Sequence, residues 1–134
     1  MRIAFNALFL RKPNTGSGQY ARHLLPALHR AASQLDITLL GAPLPAIGRG
    51  LLSPQDGSRT ENVTKLLWEQ AAVPLLAVRL GADLLHVPYW APPIVSATPV
   101  VTTIHDVIPA LLPDYAGSSL VQAYTRLVSL AARR

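Results

Sequence analysis

IAFNALFLRKPNTGSGQYARHLLPALHRAASQLDITLL, residues 3–40, is the stretch on which the fold turns. It opens with a short apolar run, Ile3 to Leu8, closed by charge and Pro13, which reads as a buried strand. From Gly18 to Ala32, the residues Tyr20, Leu24, Leu28 and Ala31 recur at three- and four-residue spacing and make one apolar helix face. Pro26 lies within that helix; without a backbone donor it is expected to kink or locally break it. Ile37 to Leu40 is a second strand, stopped by Gly41. A strand, a crossover helix and another strand form the unit from which parallel sheets are built.

The same alternation continues outward. Residues 42–59 hold Pro43, Pro45 and Pro54 among glycines and polar residues, and read as a long loop. Ser58 and Glu61 have capping-box spacing for the helix that follows. Val63 to Leu80 is helical in pattern, with a break near Pro74, and Gly81 suits its C-terminal cap. Leu84 to Val87 and Val100 to Ile104 are further strands, the second continuous and β-branched as buried parallel strands are. Ser119 to Arg134 is helical again, with Leu120, Tyr124, Leu127 and Leu130 or Ala131 on one face. The pattern predicts an α/β protein with a Rossmann-like parallel sheet and helices on both faces. The last helix calls for a further strand. Residues 1–134 are therefore expected to be one incomplete domain.

Composition narrows the function. Half of the 134 residues are hydrophobic, only 14% are charged, and the mean hydropathy is +0.29. That supports a packed core and predicts an apolar surface that a partner, a membrane surface or more of the same polypeptide would cover. The net charge of +5 favours phosphate-bearing ligands. The cations are dispersed, which argues against nucleic acid as a partner. Without cysteine there is neither a disulfide framework nor a thiolate metal site, which suits the cytoplasm. Met1 to Asn6 lacks the apolar core of a signal peptide, and no apolar run reaches the ~18 residues of a membrane span. Asn62-Val63-Thr64 matches a glycosylation sequon and is read as chance.

Two loops carry candidate chemistry. Thr15-Gly16-Ser17-Gly18-Gln19-Tyr20 joins the first strand to the first helix. Glycines there let backbone amides approach a phosphate, and a helix start favours negative charge. Gly16, Gly18 and Ala21 satisfy the dinucleotide spacing. Against it, the turn after Leu8 is long, and Asp36 precedes the second strand instead of ending it. A flexible turn without ligand, a diphosphate cradle and a nicotinamide site all stay open on the motif alone.

Val100-Val101-Thr102-Thr103-Ile104-His105-Asp106 is the sharper signal, because a strand runs directly into His105-Asp106. Ligands of open α/β sheets bind at that carboxyl edge, and a neighbouring carboxylate can orient an imidazole. A histidine merely satisfied in its loop is the alternative. Tyr89 and Trp90 follow His86 and Pro88 at another strand end. They can offer flat faces to a sugar ring or plug the core. There is no zinc-spaced histidine cluster, no serine elbow and no Walker lysine, so no metal is expected.

Taken in order, T-G-S-G-Q-Y, the L-W-E-Q of Leu67 to Gln70, the D-L-L-H-V-P-Y-W of Asp83 to Trp90, and T-T-I-H-D-V-I-P resemble family-4 glycosyltransferases of the GT-B fold. The resemblance covers nearly the whole chain. It implies the N-terminal, acceptor-side domain of a retaining enzyme that moves a sugar from a nucleotide-sugar donor without an obligatory metal or cofactor. Gly16, Ser17 and Gly18 would approach the donor diphosphate, His105 would reach the transferring sugar, and Asp106 would orient its loop. Tyr89 and Trp90 would face a sugar or lipid-linked acceptor. The second domain of this family, with its E-x7-E motif, has no counterpart here, so the chain alone is expected to transfer no sugar. A cytoplasmic location is expected, with peripheral membrane contact and self-association through apolar surface left open. The alternative is a stand-alone binding or partner module with the same fold; a nicotinamide enzyme is the third reading.

Overall fold

The computed structural model describes residues 1–41, 59–112 and 119–133. Its centre is a four-stranded sheet in the order β2-β1-β3-β4. The strands are β1 (Arg2–Asn6), β2 (Asp36–Leu40), β3 (Leu84–Val87) and β4 (Val100–Thr102), and all three pairings are parallel. The α/β parallel architecture read from the sequence is therefore present. The register sets Ala4 beside Leu85 and Phe5 beside His86. Because strand side chains alternate faces, these two pairs look in opposite directions.

Helix α1 (Gly16–Ala31) covers one face, where Phe5, Ala7 and Ala21 are buried beside Leu24, Leu25 and Ile37. On the other face lie α2 (Arg59–Leu67), a π-helical turn (Trp68–Ala72) and α3 (Val73–Arg79). Val73 and Ala77 of α3 pack there on Ala4, Leu85 and Val87. Each large side chain buried in these layers contributes about 1.5–3 kcal/mol.

Local departures from the sequence pattern have physical causes. The first strand ends at Asn6, two residues short of expectation, because Leu8–Arg11 wind into a 3-10 turn. Helix α1 starts at Gly16, with Thr15 as its N-cap, and runs unbroken past the exposed Pro26 to Ala31. The expected break near Pro74 is met instead by the π-helical turn just upstream. Pro74 then falls in the first turn of α3, where a missing amide costs least. Gly81 ends α3 with φ +60°, as the cap reading predicted. Strand β4 stops at Thr102, and a short α4 (Ile108–Leu111) follows it. The last helix, α5 (Ser119–Ala131), sets Tyr124 against the cluster that α3 covers. The 42–58 part of the predicted loop, with Ser58 of the capping box, lies outside the described residues.

The rims of the sheet are tied differently. At the amino rim, the Arg2 guanidinium reaches Asp36 at 2.9 Å and the carbonyl of Leu80 at 2.7 Å, while the Arg2 amide donates to Asp83. The carboxyl rim carries the loops that hold every candidate site residue. At β1 the strand order reverses direction, which opens the crevice such sheets use for ligands.

The apolar surface expected from composition is present. Val101, Ile104, Val107 and Leu111 are 45%, 42%, 47% and 71% exposed along the open β4 side. Among the described residues, no helix is long and apolar enough to cross a membrane.

Candidate functional site

Three loops meet at the carboxyl rim: those after β1, β3 and β4. Tyr20, in the first turns of α1, stands edge-on to His105 with ring centroids 4.9 Å apart. The Tyr20 hydroxyl is also 3.4 Å from Thr103 Oγ1. The glycine turn and the His-Asp corner therefore sit side by side on one rim.

His105 is exposed, and its Nε2 lies 3.0 Å from the carbonyl oxygen of Pro88. A carbonyl can only accept, so the imidazole must donate from Nε2. In the neutral ring Nδ1 is then left as an acceptor. Asp106 accepts the Ile108 amide at 3.0 Å and so braces the start of α4. The carboxylate shapes its own loop, and among the described residues it is not seen bonding to the imidazole.

The two glycines of the turn differ. A Cβ on Gly18 would run into the Lys12 carbonyl oxygen and come within 2.9 Å of that of Phe9, so this glycine admits close backbone packing. Its amide donates to Thr15 Oγ1, which in turn donates to the Lys12 carbonyl. At Gly16 a Cβ would meet nothing within 4 Å, so this position faces open space. In a helix the first amides lack intrahelical acceptors, and with Gly18 already served, those of Gly16 and Ser17 are the ones available to an anion.

Tyr89 takes the core-packing alternative. It is 4% exposed, packs edge-on against Phe9 at 4.5 Å, and its hydroxyl accepts from Asn6 Nδ2 at 2.6 Å. Neither ring face is open to an acceptor. Trp90 is half-buried beside it, and its buried indole N–H has no hydrogen-bond partner among the described residues. His86, on β3, packs edge-on to Phe5 at 5.0 Å. Burial alone lowers its pKa.

Beneath the rim lies a buried polar network to which the sequence pattern assigned no role. Trp68 Nε1 donates to Asn6 Oδ1 at 3.2 Å, and Tyr124 donates to Glu69 Oε2 at 2.5 Å. Glu69 is 1% exposed, with Lys65 Nζ 3.6 Å from Oε1. Burial pushes its carboxyl up, while Lys65 and the hydroxyls of Tyr124 and Tyr89 pull it back. Burial first, and then the same carboxylate, drive Tyr89 and Tyr124 well above the ordinary phenol range. Gln70 holds the chain after β3, accepting the Ile94 amide at 2.9 Å and donating to the Pro92 carbonyl at 3.3 Å. The L-W-E-Q block is thus a joint: Trp68, Glu69 and Gln70 each reach a different element. The legible signal was an acid inside the apolar run Leu66 to Val73, which a solvent-facing helix would not explain.

A separate apolar cavity of about 360 Å³, bordered by Leu8, Gly41, Lys65, Trp68 and Leu75, is lined by none of the glycine-turn residues and not by His105. Among the described residues no group of three His, Cys, Asp or Glu side chains could hold a metal ion. No family model, curated protein or solved structure matches this chain.

Proposed function

We propose that this chain supplies the acceptor-side, Rossmann-like domain of a retaining GT-B glycosyltransferase. In this reading the donor diphosphate lies against the amides of Gly16 and Ser17, and the transferring sugar reaches His105. The observation that carries it is the 4.9 Å ring contact between Tyr20 and His105, because one sugar nucleotide can span two loops so close together. Nδ1 of His105, left as an acceptor by the Pro88 carbonyl, suits a sugar hydroxyl. Tyr89 takes no part in acceptor binding, since its ring is enclosed. In such an enzyme the base and ribose of the donor, and most of its phosphate contacts, are held by a second domain.

The test is a titration of the 15N-labelled chain with UDP-glucose and GDP-mannose in turn. The expected result is joint movement of the Gly16 and Ser17 amides and the His105 ring signals with at least one donor. Movement of neither loop, or of residues elsewhere only, refutes the reading.

A second reading, a partner-binding module of the same fold, is favoured by one observation, the apolar β4 side with Val101, Ile104, Val107 and Leu111 exposed. Concentration-dependent association in sedimentation, with no response to sugar nucleotides, selects it.

A further inference from the structure

Between the 3-10 turn at Leu8–Arg11, the end of β2 and the α2–α3 segment lies the apolar cavity of about 360 Å³, which the proposed chemistry does not use. Its walls are aliphatic, with Leu8, Leu67, Ala71 and Leu75 around the indole of Trp68. That indole is held from two sides. Its Nε1 donates to Asn6 Oδ1 at 3.2 Å, and a Cβ at Gly41 would come within 2.6 Å of the ring. Glycine there, with φ +73°, lets the ring lie on the main chain as a fixed wall. Leu67 and Leu75 stay 61% and 50% exposed, so the cavity opens to solvent between apolar side chains. Its volume falls in the lower range of small-ligand pockets, roughly 300–1,000 Å³.

Among the described residues, the charged groups on its border are both cations, Arg11 and Lys65. Lys65 is already matched, with Nζ 3.6 Å from Glu69 Oε1 and 5.5 Å from the centre of the Phe9 ring. Arg11 is exposed, and among the described residues no carboxylate pairs with it. Its Nε donates to the Gly41 carbonyl at 2.9 Å, which holds the guanidinium at the cavity edge. The Nη pair at the end of the fork is then the part that can grip an anion. A sugar or nucleobase buried here needs several polar partners, which this lining lacks; a saturated chain needs none. We infer that the cavity is a binding site for a single alkyl chain bearing an anionic head, carboxylate or phosphate, that pairs with Arg11. The inference stands on this cavity and needs no glycosyltransferase activity.

The test titrates the 15N-labelled chain with decanoate, decyl phosphate, decanol and inorganic phosphate, the amphiphiles kept below their micelle concentrations. The expected result is a saturable shift of the Trp68 indole N–H signal with decanoate, decyl phosphate or both, and none with inorganic phosphate. Which of the two anions binds more tightly identifies the head. Decanol is expected to bind about tenfold more weakly or worse, because it lacks the charge-assisted hydrogen bonds to Arg11. Arg11→Gln is expected to bring the anionic amphiphiles down to the affinity of decanol. Leu75→Gln changes a half-exposed wall outside the buried core and is expected to abolish the shift. Leu130→Gln, at an exposed α5 leucine that does not line the cavity, is expected to keep it. The inference is overturned if no amphiphile shifts the Trp68 signal, or if decanol binds as tightly as the anions. Unchanged binding by Leu75→Gln, or its loss in Leu130→Gln, overturns it as well. So do NOEs in the free chain from the Trp68 ring to Leu44, Ile47, Leu51 or Leu52, since the chain itself would then occupy the cavity. A failed donor titration leaves this result untouched, and a failed amphiphile titration leaves the sugar-nucleotide reading standing.

Discussion

The ring of Tyr20 meets the imidazole of His105 edge to face, 78° apart in plane, joining the turn after β1 to the corner after β4. Because His105 is exposed, its removal is expected to cost little stability, about 1 kcal/mol or less. Under the proposed function, His105→Ala nevertheless weakens the response of the Gly16 and Ser17 amides to sugar nucleotides, since the sugar loses its anchor. Chemical denaturation and the donor titration, run on the same variant, check both halves.

The two glycines of the turn are expected to separate sharply. Gly18→Ala forces a methyl onto a main-chain oxygen, which the backbone cannot yield cheaply. A loss of about 1–3 kcal/mol is expected, the usual cost of overpacking. Gly16→Ala meets open space and should change stability by less than about 1 kcal/mol. Urea midpoints of the two variants decide the point.

Tyr124→Phe deletes the hydroxyl that donates to Glu69 while leaving the ring in place. Loss of a hydrogen bond to a charged, buried acceptor is expected to cost about 1.5–3 kcal/mol. Hydrogen exchange should then quicken in α5 ahead of α1, because Tyr124 is a polar tie of α5 to the π-helical turn.

The pH dependence of Glu69 follows from its raised pKa. Below its ordinary value of 4.5 the carboxyl is protonated in both folded and unfolded chains. Between 4.5 and the raised folded value, only the unfolded chain gives up the proton, so this group's contribution to stability falls as pH rises, then stays flat. Glu69→Gln removes that slope. The difference in unfolding free energy between the variant and the natural chain should grow in favour of the variant across this window, read from denaturation at a series of pH values.

His86 has the opposite sign. Burial lowers its pKa from 6.5, so the unfolded chain binds a proton first and stability falls as pH drops through the interval below 6.5. Among the described residues, its buried Nε2 has no hydrogen-bond partner. His86→Leu removes both the orphaned nitrogen and the acid sensitivity, and should stabilise the chain by about 1 kcal/mol at neutral pH, more in mild acid. Thermal unfolding at two pH values checks it.

The fold was legible from particular residues. Ile3–Leu8, the Gly18–Ala32 periodicity, Ile37–Leu40 and Leu84–Val87 predicted strands and helices within a few residues of those observed, because apolar period and turn chemistry are local. Gly81 was readable for the same reason. The 3-10 turn at Leu8–Arg11 was not, since it follows the Ala7 amide bonding to Leu40 across the sheet. Of the site, the two loops and their common rim could be anticipated from parallel topology alone. The enclosure of Tyr89 could not, because the same aromatic after a strand serves a ligand or a core equally well until its neighbours are known.

By itself, then, the order of residues determined a parallel α/β sheet and put the glycine turn and His105-Asp106 on one edge, since chain direction and strand alternation are written locally. Tertiary structure alone decided that Gly18 serves packing while Gly16 stays open, that Asp106 braces a short helix, and that Glu69 accepts from the Tyr124 phenol under the rim. Those outcomes depend on atoms many residues apart coming within a few ångströms, and distance through space is not encoded in any single stretch of the chain.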